Sequence, residues 1–150
     1  MRFNKILLTL LTGLTAVFLS VSASAENSQD FGEYVVHFNA LATDLLPPKV
    51  AKEYGITRSQ NRAMLNVAVL KKVLGTTGQP VEAHVESSAT NLTGQTKNFK
   101  MREIREGTAI YYIGEISVSN EETLNFDLKV KPEGSDDEFT VRFRQDFFTR

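Results

Sequence analysis

The sequence predicts an all-β protein made of two antiparallel sheets packed face to face. Three observations carry that prediction. Apolar and polar residues alternate with a period of two, most cleanly where Leu124, Phe126, Leu128 and Val130 interleave with Asn125, Asp127 and Lys129. Successive side chains of a strand point to opposite faces, so this alternation describes a sheet with one covered and one solvated side. Short polar or glycine-rich segments separate the alternating runs, and the chain beyond residue 25 holds only one short helical signal. A parallel sheet would need a crossover helix after each strand, which excludes that class.

The first 25 residues belong to export rather than to the fold. Arg2 and Lys5 form a short positive region, Ile6 to Val21 carries no charge, and Ala23-Ser24-Ala25 offers the small-x-small pattern that signal peptidase accepts. The apolar run falls short of the roughly 20 residues that span a bilayer. Residues 1–25 are therefore expected to be a cleaved signal peptide, and 26–150 a single β-sandwich domain in the periplasm.

In that remaining chain, Glu26 to Asp30 is polar and expected to fray. Gly32 to Leu41 (GEYVVHFNAL) is the first strand, with Tyr34, Val36, Phe38 and Ala40 on one face. Pro47 and Pro48 fix φ and lack amide donors, which suits the first turn of a short helix over Lys49 to Tyr54, closed by Gly55. Ala63 to Lys71 (AMLNVAVLK) is apolar on both faces and forms a nearly fully buried second strand. Gly75, Gly78 and Pro80 punctuate the following loop. Val81, Ala83 and Val85 then point inward while Glu82, His84 and Glu86 point out.

After a turn at Asn91 to Gln95, Phe99 and Met101 mark a fourth strand. Ile104 falls out of phase with them, so a bulge is expected near Glu103. Thr108 to Val118 is the fifth strand, with Ile110, Tyr112, Ile116 and Val118 on one face. Thr123 to Lys131 is the sixth, and Phe139, Val141 and Phe143 carry the seventh toward Phe147 and Phe148. The last hairpin specifies its own register: Lys131 opposite Glu138 places Asp127 opposite Arg142 and Asn125 opposite Arg144, while Leu128 and Val130 meet Val141 and Phe139. About seven strands with one short helix between strands one and two describe an immunoglobulin-like antiparallel β-sandwich, with a closed antiparallel barrel as the alternative.

Composition removes many chemistries. The 150 residues include no cysteine, and 17 Lys and Arg stand against 18 Asp and Glu. Thiol nucleophiles, disulfides and cysteine-ligated metals are excluded, and near-neutral charge disfavours capture of nucleic acid. No serine-nucleophile elbow, zinc-binding HExxH helix, phosphate-cradling glycine loop or calcium loop is present. Glu82, His84 and Glu86 share a strand face, but alternate residues stand about 6.6–7 Å apart, too far to converge on one ion without bending. They are expected to be a solvated strand face. His37, set among Tyr34, Val35, Val36 and Phe38, is expected to be a half-buried strand histidine. Asp127 and Glu115 would make a carboxylate pair only on neighbouring strands. The expectation is thus a protein without metal or cofactor and without catalytic residues, which binds.

Two surfaces are candidates for binding. The insertion between strands one and two runs from Asp44, Leu45, Leu46, Pro47 and Pro48 to Tyr54, Arg58, Ser59, Asn61 and Arg62, where two arginines are placed to clamp a carboxylate or phosphate. Packing alone offers another use for it: Leu45, Leu46, Val50 and Tyr54 plugging one end of the sandwich beneath solvating arginines. The second surface is the terminal run Arg144 to Phe148, whose adjacent Phe147 and Phe148 must point to opposite faces. Strand addition to an open sheet edge is a third mode.

The segments GEYVVHFNAL, LPPKVAKEYGI, RSQNRAMLNVAVL and RFRQDFF, together with the export signal, make residues 31–148 resemble a family of small periplasmic proteins of unknown function from Gammaproteobacteria. The resemblance implies an immunoglobulin-like sandwich and a periplasmic location, and carries no catalytic residue. Asn61, Arg62 and Gln145 are the polar positions within the resembling segments. The candidate binding residues are thus Tyr54, Arg58, Asn61, Arg62 and Gln145. The expected function is a non-catalytic periplasmic binding or accessory module whose partner is an envelope protein, with neither nucleic acid nor stable membrane insertion after signal cleavage. The alternative is a small-ligand-binding protein or hydrolase with a polar cleft.

Overall fold

The computed structural model describes residues 27–149; the expected signal segment, 1–25, lies outside them. The strands in chain order are β1 (Asn27–Asp30), β2 (Tyr34–Ala42), β3 (Arg62–Lys71), β4 (Gln79–Pro80), β5 (Ala83–Asn91), β6 (Thr96–Phe99), β7 (Arg102–Glu106), β8 (Ala109–Ser117), β9 (Glu122–Pro132) and β10 (Phe139–Phe147). A 3-10 turn at Thr43–Leu45 and the helix α1 (Pro48–Glu53) lie between β2 and β3. One sheet runs β1-β2-β3-β8-β7 with β4 beside β3, and the other runs β10-β9-β5-β6. Every strand pair is antiparallel.

The core lies between the sheets and is built from the inward face of each alternating run. Val36, Leu65, Val67 and Val69 from the first sheet meet Leu124, Phe126, Leu128, Val130 and Val141 from the second. An aromatic contact ties the layers together, Phe38 of the first sheet lying against Phe143 of the second with centroids 4.6 Å apart, and within the second sheet Phe126 stacks on Phe143 at 4.7 Å. The last hairpin adopts the register its charges specify. Arg142 opposes Asp127, with Nε 2.6 Å from Oδ2, while Leu128 opposes Val141 and Val130 opposes Phe139.

Three local expectations are corrected. The polar N-terminus is a strand: Asn27 to Asp30 pair with Phe38 to Val35 of β2, because an unpaired ladder edge outweighs the weak strand preference of Asn, Ser, Gln and Asp. The expected fourth strand is two strands. The chain leaves the second sheet after Phe99 and enters the first at Arg102, so Ile104 changes phase through a crossing between sheets rather than a bulge. Together with the two-residue β4, these features raise the seven expected segments to ten strands.

The insertion is placed differently as well. It does not plug an end of the sandwich. Leu46, Ala51 and Ile56, with Val50 and Tyr54 beside them, cover Met64, Ile113, Ile104, Tyr111 and Leu41 on the outer face of the first sheet. This explains why β3 is apolar on both faces: one side meets the second sheet, the other meets α1. Leu45 remains largely exposed. Pro48 opens the helix, and Gly55 follows it with φ +64°, the left-handed conformation that ends a helix without side-chain strain.

Candidate functional site

Three of the five candidate residues, Tyr54, Arg58 and Asn61, belong to the segment strapped over the first sheet, and Arg62 opens β3 where that segment ends. The segment's base is Thr43, fully buried, whose Oγ1 lies 2.9 Å from the Thr57 carbonyl oxygen and 3.1 Å from that of Ser59, and accepts the Ser59 amide at 2.9 Å. Tyr54 donates its hydroxyl proton to Glu106 on β7, and its backbone carbonyl accepts from Arg102 on the same strand. The Glu106 hydrogen bond, followed by burial, pushes the Tyr54 hydroxyl up to about 12. Arg58 donates to the Asp44 carbonyl at 2.7 Å and closes the loop on itself. Asn61 takes part through its backbone, receiving the Val118 amide at 3.0 Å and donating to Ser59 Oγ at 3.1 Å. Arg62 sits 3.5 Å from Glu115 across the ladder. Gln145 stands apart on β10 in the second sheet, where its side-chain amide donates to the Asp146 carbonyl at 3.0 Å.

The strap covers only part of the outer face. Beyond it, Val35 and His37 of β2, Ala68 and Leu70 of β3, and Tyr111 of β8 line two adjoining cavities of about 340 and 250 Å³, which share His37, Leu70 and Thr77. The loop from Lys72 to Gly78 walls this groove. Thr76 holds it in shape, its amide and hydroxyl both donating to the Val73 carbonyl at 3.1 and 2.9 Å. Gly78 has φ +107° and packs closely enough that a Cβ there would lie 3.1 Å from Leu70 Cβ. At the rim, Leu74 is fully exposed and Val73 is 43% exposed. Lys72 pairs with Asp30, and this hydrogen bond holds the Asp30 carboxyl below its ordinary range. The sequence signal for this site was an apolar Val-Leu pair inside a glycine-bounded loop, where solvent favours polar residues; the glycines alone mark only the turn.

A second concavity, about 420 Å³, lies where the β4–β5 and β9–β10 connections meet, and Glu82, His84, Glu103, Tyr112, Lys131 and Glu133 contribute to it. Arg105 pairs with both Glu82 and Glu103. Tyr112 accepts the Ala83 amide at 2.8 Å and donates toward Glu103 at 3.3 Å. The neighbouring Glu133 carboxyl and Arg105 hold the Glu82 carboxyl below its ordinary value, and the proximity of Glu82 raises that of Glu133. His84 points to solvent, 3.3 Å from Glu86. Among the described residues, no three His, Asp or Glu side chains gather to hold a metal ion.

The polar candidates therefore occupy separate places. His37 lies in the outer-face groove, His84 at the end concavity, Arg58 on the strap and Arg62 at the start of β3. Asp127 and Glu115 stand on different sheets, each on its outer side.

A strand order with β10-β9-β5-β6 facing β1-β2-β3-β8-β7, and a helix strapped outside, can be compared with known proteins. A family described as a domain of unknown function, DUF4426, matches residues 28–150. The chain belongs to the DUF4426 family. A solved DUF4426 protein from Pseudomonas aeruginosa PAO1 is 35% identical, with a TM-score of 0.71 over 83% of this chain and 96% of that one. No curated protein matches. FetP from uropathogenic Escherichia coli strain F11, produced in the periplasm of its expression host, shares the fold at 10% identity, with a TM-score of 0.58 over 82% of this chain and 93% of its own. A copper-bound variant of FetP gives the same TM-score, 0.58, over 84% and 92%. The DUF4426 assignment agrees with the resemblance read from the sequence: a gammaproteobacterial relative, a β-sandwich and no assigned function. Among the described residues of this DUF4426 protein, no helix is long and apolar enough to cross a membrane.

Proposed function

We propose that this DUF4426 protein is a non-catalytic binding module that works in the periplasm as an accessory to an envelope protein. It engages that partner through the outer-face groove beside the strap. The observation that carries the reading is the apolar rim: fully exposed Leu74 and half-exposed Val73 stand over a floor of Val35 and Leu70. Exposed apolar side chains grouped beside a groove gain most by burying against a partner, whereas scattered ones carry no such meaning. His37 gives the groove a polar point that would orient an extended polypeptide laid across it. The alternative, a small-ligand site or hydrolase in a polar cleft, has its nearest counterpart at the end concavity, where Arg105 already satisfies Glu82 and Glu103. The positive n-region and the Ala23-Ser24-Ala25 site support export.

The test combines location with contact. Cell fractionation should recover the protein in the periplasm with its N-terminus at Glu26. A photo-crosslinking amino acid placed at Leu74 should trap one envelope protein reproducibly, and the same group at Lys129, on the outer face of the second sheet, should not. Equal crosslinking from both positions would overturn the groove, and a cytoplasmic protein would overturn the periplasmic role.

A further inference from the structure

Leaving aside the two-residue β4, which pairs only with β3, four strands end the two sheets among the described residues: β1, β6, β7 and β10. The first three are four, four and five residues long, but β10 has nine, all paired to β9 on one side and, among the described residues, open on the other. A long open edge is a template for another strand, and proteins normally shorten or cover such edges. Here the cover is partial. Phe31 stacks on Phe139 at 4.5 Å, Tyr34 packs on Phe139 and Phe38 on Phe143. β2 therefore overlies β10, and β1, paired to Val35–Phe38, extends the first sheet past the Phe139 end. Among the described residues, the half from Phe143 to Phe147 has no such overhang.

We propose that β10 pairs with β10 of a second copy of this chain, antiparallel about a two-fold axis at Gln145, to join the two second sheets. Among axes within the uncovered half from Phe143 to Phe147, charge selects this register. Centring the axis on Arg144 or Asp146 sets each against itself, and centring it on Phe143 sets Arg142 against the partner's Arg144 twice. Centring it on Phe147 runs most of the ladder beyond the strand. An axis at Gln145 places Arg144 opposite the partner's Asp146, and symmetry supplies that pair twice. The same register sets Phe143 opposite the partner's Phe147 on the inner side. It also brings Arg142 over the partner's Phe148, which is 72% exposed while Phe147 is 4% exposed. Gln145 is the one polar residue on the inward side of β10, among Phe139, Val141, Phe143 and Phe147. Its amide meets its own symmetry mate, where both can donate and accept. The interface uses neither the outer-face groove nor the strap.

Analytical ultracentrifugation of the protein as the cell produces it should show a concentration-dependent monomer–dimer equilibrium. R144D sets two like-charge pairs and should raise the dissociation constant about tenfold. Adding D146R reverses both charges and should restore the dimer. Because the chain contains no cysteine, Q145C should form a disulfide-linked dimer under mild oxidation, and T140C should not. A monomer at all concentrations, a double variant as weak as R144D, or equal crosslinking through T140C would each overturn the proposal.

Discussion

Gly114 lies directly beneath Phe99. A Cβ on Gly114 would stand 2.7 Å from Phe99 Cδ2 and 2.5 Å from Met101 Sδ, closer than side-chain carbons approach. The position matters because Phe99 ends β6 and Met101 precedes β7, so this is where the chain passes from one sheet to the other. Gly114, facing Leu65 across the ladder, leaves the space that the crossing fills. G114A should therefore destabilise by about 1–3 kcal/mol through overpacking. Urea unfolding would show a lower midpoint with an unchanged slope, and a midpoint like that of the wild type would mean the crossing is loosely packed.

Phe126 joins three aromatic contacts at the centre of the core: stacked on Phe143, and edge-on to Phe99 and Phe147. It is 2% exposed. F126A should cost about 3–5 kcal/mol, since the neighbouring rings, held on β6 and β10 of the same sheet, cannot close on the void. F126L should retain much of that stability. Equal losses for the two variants would show that ring geometry outweighs volume here.

Thr43 holds the strap through its hydroxyl. T43V keeps the shape but leaves the Ser59 amide and the Thr57 and Ser59 carbonyls without that partner, an expected loss of about 1–3 kcal/mol. T43S should stay near the wild-type value. Hydrogen exchange should quicken for amides of residues 43–61 before it does in β9; unchanged exchange there would mean that α1 is held by apolar contact alone.

The Lys97–Glu122 pair predicts an acid-side dependence. Burial would raise the Glu122 carboxyl, but hydrogen bonds from Lys97 at 2.8 Å and from the Ser119 amide at 2.7 Å outweigh it, and the net shift is downward from 4.5. A carboxyl lowered in the folded state releases its proton more readily there than in the unfolded chain. Its contribution is therefore present above the ordinary carboxylate range and is lost as pH falls through the lowered value. E122Q should lose about 1 kcal/mol at neutral pH. Its stability should also fall less steeply than that of the wild type below pH 4.5. Parallel curves would assign the acid sensitivity to other groups.

Much of the fold was legible because the pleat writes itself locally. Leu124, Phe126, Leu128 and Val130 had to share a face, and the Asp127–Arg142 register followed from sequence spacing and charge alone. The candidate site was less legible. Tyr54, Arg58, Asn61 and Arg62 carry groups suited to binding, yet the structure shows their hydrogen bonds and ion pairs directed at Glu106, Asp44, Ser59, Val118 and Glu115. The groove around His37 and Leu74 draws on β2, β3, β8 and the 72–78 loop, and no window of sequence contains all four.

The sequence by itself determined the strand class, the buried face of each long strand and the pairing of the last hairpin, because a period of two is a property of consecutive residues. Tertiary structure decided which sheet each half of the 96–106 segment joins, where α1 docks and which edge stays open. Those outcomes depend on surfaces offered by distant strands: Phe99 turns toward Phe126, Ile104 toward the strap, and polar Asn27 to Asp30 extends only because β2 leaves it a ladder to complete.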